Sequence, residues 1–192
     1  IVFVQPFDYV WAHEYGYLPL ARRGEPLTAQ IMVAETSPLE NLKDLKDRVV
    51  ALPPAEAAVS HLAKMALLDA GVDPRRNVSL QYTKSHDSCL QRLLIGAVDA
   101  CGTAAGPVRF FQARMKVSFR VLGKSRTIPH ALIAVHSRVP ENERERLRQT
   151  IISWQDSADG RQLLARGEHK PFQVVTDAEY NVVRQYWQRL KP

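Results

Sequence analysis

Apolar and polar positions alternate along this chain in two rhythms, short strand-like segments of five to seven residues around an apolar run and longer stretches with apolar residues three and four apart. "IVFVQPFDYV" (1–10) reads as a buried strand running into a Pro-marked turn, followed by a helical stretch through "WAHEYG" that stops at Gly16. "YLPLARR" is a short second strand and "AQIMVAE" (29–35) a third. "SPLENLKDLKD" then reads as a capped helical turn, and "RVVALPP" as a strand stopped by Pro53 and Pro54.

From there the rhythm is regular. A helix over about Glu56 to Ala70 carries Leu62, Met65, Ala66 and Asp69 at helical spacing and closes at Gly71. "NVSLQYT" is a strand, "HDSCLQRLLIG" a helix ending at Gly96, "VDACGTA" a strand and "PVRFFQARM" a helix with Val108, Phe111 and Met115 on one side. "FRVLGKS" and "HALIAVHS" are strands separated by the loop "RTIP". Two amphipathic helices close the chain, one with Leu147, Ile151, Trp154 and Ala158 in register, the other with Tyr180, Val183, Trp187 and Leu190.

Strand–helix alternation predicts an α/β protein with mainly parallel sheets covered by helices. The extended segments 29–35 and 130–137 bracket the regular block, as when a chain leaves one lobe, builds a second and returns. The expected division is residues 1–34 and 131–192 in lobe 1 and 35–130 in lobe 2, with a ligand cleft beyond the carboxyl ends of the strands.

Composition narrows the function. The 192 residues carry a net charge of +6, which permits an anionic partner, but the basic residues are spread along the chain instead of gathered on one arm, so no nucleic-acid partner is expected. No apolar run has the roughly 18 residues of a membrane-spanning helix. The six histidines are scattered, without an HExxH, a GxSxG or a phosphate-cradling glycine loop, so no enzyme, metal or cofactor is expected. Cys89 and Cys101 form no metal spacing; each lies about 10 Å from the turn between its helix and strand, which allows a disulfide, while two buried thiols are the favoured reading.

One polar triplet stands out. Ser85, His86 and Asp87 follow a strand and begin a helix, where free N–H groups and the helix dipole favour an anion and His86 adds a donor whose charge varies near neutral pH. Thr103 and Ser125 also follow strand ends and are candidates to line the cleft, as is Gln5 just before Pro6.

"SHDSCLQRLLIGAVDA" resembles the SHDxxLxxLxxGxVDA segment of periplasmic phosphate, phosphite and phosphonate binding proteins of ABC transporters. "LKDLKDRVVAL", "IVFVQPFDYVWAHEYGYLPLAR" and "SRTIPHALIAVHSRVP" resemble further segments of that family in the right order. The resemblance implies the two-lobed type 2 periplasmic binding-protein fold, with mainly parallel sheets flanked by helices and with the family's first βαβ portion, roughly its opening third, absent from this chain, so that lobe 1 is incomplete. Tyr9 then falls where the family has an aromatic hydroxyl facing the ligand, and His86 where it has a ligand-contacting histidine. Asp87 also matches, although its plain reading is a carboxylate serving the helix N-terminus. The departure is "PPAEAAVSH" (53–61): Ala57, Ala58 and Val59 stand where the family has hydroxyls for the phosphoryl oxygens, Glu56 lies nearby, and Ser60 is a partial substitute one turn late.

The resemblance implies an extracytoplasmic solute-binding protein, free or membrane-anchored, that captures a small anionic ligand, a phosphorus oxyanion first among candidates, and presents it to the permease of an ABC transporter. The alternatives are the ligand-binding sensor domain of a membrane-bound signalling protein, coupled to its own signalling domains and with a diverged ligand, and the effector-binding domain of a transcription regulator.

Overall fold

The computed structural model describes residues 1–166 and 169–191; Gly167, Glu168 and Pro192 lie outside the described residues. The chain divides into two compact units, Ile1–Leu27 with the chain from Ile128 onward, and Thr28–Thr127.

The first unit is built on an antiparallel sheet. Its strands β1 (Val2–Val4), β2 (Tyr17–Arg23), β8 (Leu132–His136) and β9 (Phe172–Val174) lie in the order β1-β8-β2-β9. Leu20, Ala21, Ile133, Val135, Ile151, Leu164 and Phe172 form a core on it. Helix α1 (Pro6–Glu14) begins at Pro6, whose fixed φ suits a first helical turn, and the chain reverses through Gly16 at φ +82°. The "buried" first strand is corrected here: β1 pairs on one side only, and Phe3 is about half exposed.

The long C-terminal apolar stripe also breaks. Leu147 and Ile151 belong to α5 (Glu141–Ile152), Trp154 to a 3₁₀ turn (Ser153–Asp156), and Ala158 opens α6 (Ala158–Arg166). The break has a local cause: Ser157 is extended and its hydroxyl accepts from the Gly160 N–H, which starts a new helix. The last helix, α7 (Asn181–Leu190), buries Val183 of the expected stripe together with Tyr186, while Tyr180 is buried in the 3₁₀ turn before it (Asp177–Tyr180) and Trp187 and Leu190 are partly buried.

In the second unit, β3 (Ala29–Ala34), β4 (Arg48–Leu52), β5 (Val78–Tyr82), β6 (Ala100–Ala104) and β7 (Phe119–Lys124) lie in the order β5-β4-β6-β3-β7. β4 pairs parallel with β5 and β6, whereas β3 runs antiparallel to both β6 and β7. Two expectations are corrected by this pairing. Parallel pairs are confined to the three strands joined by helical crossovers, and Ala29–Ala34 belongs to the second sheet, so the boundaries fall at 27/28 and 127/128 and not at 34/35 and 130/131. The apolar run of β3 fits a strand paired on both edges as well as it fits a connection between lobes.

Helices α2 (Ala58–Asp69), α3 (His86–Leu94) and α4 (Ala105–Met115) follow β4, β5 and β6. The α3 and α4 side buries Ala51, Leu90, Leu93, Val98, Val108, Phe111 and Phe119 together with Cys89 and Cys101. Those cysteines are joined in a disulfide, with Cα atoms 5.7 Å apart, in place of the two thiols expected. The helix–strand turn brings them together because α3 folds straight back onto β6.

On the opposite face α2 approaches β6 closely. A Cβ on Gly102 would lie 2.6 Å from Leu52 Cδ2 and 2.8 Å from Ala63 Cβ, so glycine sets the depth at which α2 packs. Gly102→Ala is therefore expected to cost about 1–3 kcal/mol through overpacking. Urea unfolding should show a lower midpoint at an unchanged m-value; a midpoint equal to that of the parent would place α2 farther from the sheet than described.

Candidate functional site

Because β5, β4 and β6 are parallel neighbours, their carboxyl ends share one edge of the sheet, and α3, α2 and α4 all begin there. At a strand spacing of about 4.8 Å, the three strand ends span about 10 Å. Each helix start carries roughly half a positive charge together with unpaired N–H groups.

Two of the three starts have no side-chain cap. Ala57 precedes α2 and Ala104 precedes α4, and neither supplies an oxygen to the first-turn N–H groups. In α4 the third helical residue is Pro107, which has no N–H, so Ala105 and Gly106 are the donors of that turn. A Cβ on Gly106 would meet nothing within 4 Å, which leaves its backbone open to close approach. Ala58 and Val59, the other apolar replacements, are buried in the first turn of α2.

The third start, that of α3, is capped and holds the polar triplet. Ser85 Oγ accepts from the Ser88 N–H at 3.1 Å. His86 Nδ1 lies 2.6 Å from Thr103 Oγ1, the hydroxyl of a fully buried residue at the carboxyl end of β6. This pair leaves Nε2 as the ring nitrogen that Thr103 does not engage. Burial pushes the His86 imidazole below its usual pKa, with the Asp87 carboxylate opposing, so the neutral ring is favoured. Asp87 itself forms an ion pair with Arg114 of α4 at 2.6 Å. The turn before α3 is locked to β4: Thr83 N–H donates to the Leu52 carbonyl at 2.7 Å, and its hydroxyl lies 2.9 Å from the same oxygen.

Ser125 also lies on this edge, just past β7, but its hydroxyl is spent on the backbone. It accepts from the Ala29 N–H at 3.0 Å and donates to the Arg126 carbonyl at 2.8 Å. Ser60, expected to replace a lost hydroxyl, donates instead to the Pro53 carbonyl at 3.2 Å. Thus Ser85, His86, Thr103 and Ser125 come to one edge, and only His86 and Thr103 pair side chain to side chain across two elements.

Gln5 and Tyr9 belong to the other unit. Gln5 is exposed and its carbonyl accepts from the Tyr9 N–H at 2.9 Å. Tyr9 is fully buried against Tyr180, and its hydroxyl donates to Asp177 Oδ1 at 2.8 Å. Burial and that carboxylate push the phenol far above its usual pKa. Although burial favours the protonated form of Asp177, bonds from Arg184 and Tyr9 hold its carboxyl below the usual range. His130 is likewise structural in its contacts: its Nδ1 accepts from the Ala131 N–H, and burial, reinforced by Arg23, pushes its pKa down to about 4.

The sequence candidates His86 and Thr103 lie together on this edge, whereas the start of α4 in "TAAGPV", small residues directly after a strand, was not singled out from the sequence.

A protein-family model described as "ABC transporter, phosphonate, periplasmic substrate-binding protein" matches residues 1–180. Among curated proteins no sequence match is found. Solved structures share the fold at low identity. A Xanthomonas citri protein bound to ATP superposes with a TM-score of 0.81 at 16% identity, over 97% of this chain and 78% of that one. PhnD1 from Prochlorococcus marinus in complex with methylphosphonate gives 0.77 at 16% identity, over 98% and 77% of the two chains. The periplasmic aliphatic sulphonate binding protein SsuA from Escherichia coli gives 0.71 at 18% identity, over 99% and 75%. These neighbours are type 2 periplasmic binding proteins, and that is the fold class of this chain.

The Tyr9 contacts predict that Tyr9→Phe lowers unfolding free energy by about 1 kcal/mol, the net value of one partly buried hydrogen bond. Chemical denaturation checks it. Unchanged stability with a selective loss of ligand affinity would return Tyr9 to the ligand-facing role expected from the sequence.

Proposed function

The chain belongs to the family of periplasmic substrate-binding proteins of ABC phosphonate transporters, and from that premise we propose that it captures a small organic phosphonate for uptake through a membrane permease. The observation that carries this reading is the convergence of three helix starts on one sheet edge, two of them uncapped, beside the His86–Thr103 pair.

The chemistry matches a tetrahedral head with three oxygens. The starts of α2 and α4 supply backbone N–H groups, and the start of α3 supplies His86, so there are three donor groups for three oxygens. Inorganic phosphate brings a fourth oxygen, and a polar atom bound without a partner costs about 1–3 kcal/mol. A carbon substituent in that position needs no partner. The ligands named for the solved relatives, ATP, methylphosphonate and an aliphatic sulphonate, each carry a tetrahedral oxyanion head, which supports the class. The hydroxyls replaced by Ala57, Ala58 and Val59 are compensated by backbone donors that no side chain occupies.

Calorimetric titration tests the reading. Methylphosphonate is expected to bind at least tenfold more tightly than inorganic phosphate, a difference of about 1.4 kcal/mol, and saturating ligand should raise Tm as mass action requires. His86→Ala should weaken methylphosphonate by about tenfold, in line with one charge-assisted hydrogen bond. Absence of binding by any phosphorus or sulfur oxyanion would overturn the assignment.

The depressed pKa of His86 adds a pH dependence. An anion favours the protonated ring, so the bound pKa lies above the free one and binding takes up protons. Affinity for methanesulfonate, whose own charge is constant in this range, should therefore rise as pH falls from about 8 to about 6. His86→Gln should flatten that profile, and an equal slope in the variant would assign the proton to another group.

A further inference from the structure

The Cys89–Cys101 disulfide lies between the same two elements as the His86–Thr103 pair. Cys89 is three residues after His86 on α3, which puts both on one helix face. Cys101 is two residues before Thr103 on β6, which puts both on one face of the strand. The hydrogen bond and the bridge are therefore adjacent cross-links, and both cysteines are fully buried in the core between α3 and the sheet.

The other end of the α3–β6 connection is already held without the bridge. Gly96 N–H donates to the Leu93 carbonyl and Ala97 N–H to the Arg92 carbonyl, while Gly96 takes φ +70°. Asp99 then joins β4 twice, its N–H donating to the Val49 carbonyl and its carboxylate accepting from the Val49 N–H. About 12 Å along α3 from that turn, the backbone before His86 is tied to β4 through Thr83, whose N–H and hydroxyl both bond the Leu52 carbonyl, but the only ties from this first turn of α3 to β6 described above are the His86–Thr103 pair and the bridge.

We propose that the Cys89–Cys101 disulfide positions the ligand site: it sets the separation of His86 and Thr103, and through them the affinity for the oxyanion. Cys89 and Cys101 are positioning residues in this sense, since their sulfurs touch no ligand. The proposal rests on the phosphonate-binding reading for its affinity readout, and the family's periplasmic setting is one in which disulfides persist.

The test compares the oxidised protein, the thiol-reduced protein and Cys89→Ala/Cys101→Ala, each with and without His86→Ala. Methylphosphonate affinity is measured by calorimetry and the His86 imidazole pKa by NMR titration of the ligand-free protein. Loss of the bridge is expected to weaken methylphosphonate about tenfold when His86 is present and less than twofold when His86 is already alanine. The His86 pKa should also rise toward its usual value as the ring is released from its buried seat. Thr103→Val, with the bridge intact, should reproduce both changes and keeps the comparison available should the double cysteine variant fail to fold. An equal affinity loss in the two His86 backgrounds, or an unmoved His86 pKa, would overturn the proposal and leave the bridge a stabilising link only. If the parent protein bound no methylphosphonate, the function would fall, while the pKa comparison would still decide the positioning role.

Discussion

Parallel pairing of β4 with β5 on one side and β6 on the other is the constraint on which the site depends. Parallel strands require crossover connections, and here the two crossovers contain α2 and α3, each beginning at the carboxyl end of the strand before it. The third helix, α4, leaves the same end of β6 on its way to β7, so three helix starts are delivered to one edge. Small residues then decide how that edge is used. Gly102 lets α2 lie close on one face, and Gly106 leaves the start of α4 open.

The fate of the hydroxyl groups follows from a second constraint, that buried polar atoms find partners. Ser60 is taken by the Pro53 carbonyl, Ser125 by Ala29 and Arg126, Ser85 by the start of its own helix, and Thr83 by the end of β4. These bonds tie down the loops that carry the helix starts, so the hydroxyls shape the edge. Thr103 differs because its partner is a ring with a second nitrogen. The same logic accounts for the Tyr9 hydroxyl: the buried phenol bonds Asp177, which Arg184 also engages, within the first unit.

Much of the fold was legible because it is written in local pattern. β2 and β7 appear almost at the ends their apolar runs suggest, Gly16, Gly71 and Gly96 each take the positive φ expected of a helix or turn closer, and α7 buries Val183 of the expected stripe. The short strand β9 was missed because three residues with one buried side chain carry no periodic signal. The break between α5 and α6 was missed for the opposite reason, since a strong stripe continues through a residue, Ser157, that caps a new helix.

By itself the sequence determined the element order as far as β8, the helix start at His86 and the family, since these rest on nearest-neighbour chemistry and on segments of contiguous residues. Only the tertiary structure decided that Ala29–Ala34 pairs between β6 and β7, that Cys89 and Cys101 are joined, and that Thr103 meets His86 while Tyr9 turns to Asp177. Each of those outcomes depends on which distant residue occupies the facing position. An apolar run does not specify its pairing partner, and a hydroxyl bonds whichever acceptor or donor the packing brings within about 3 Å.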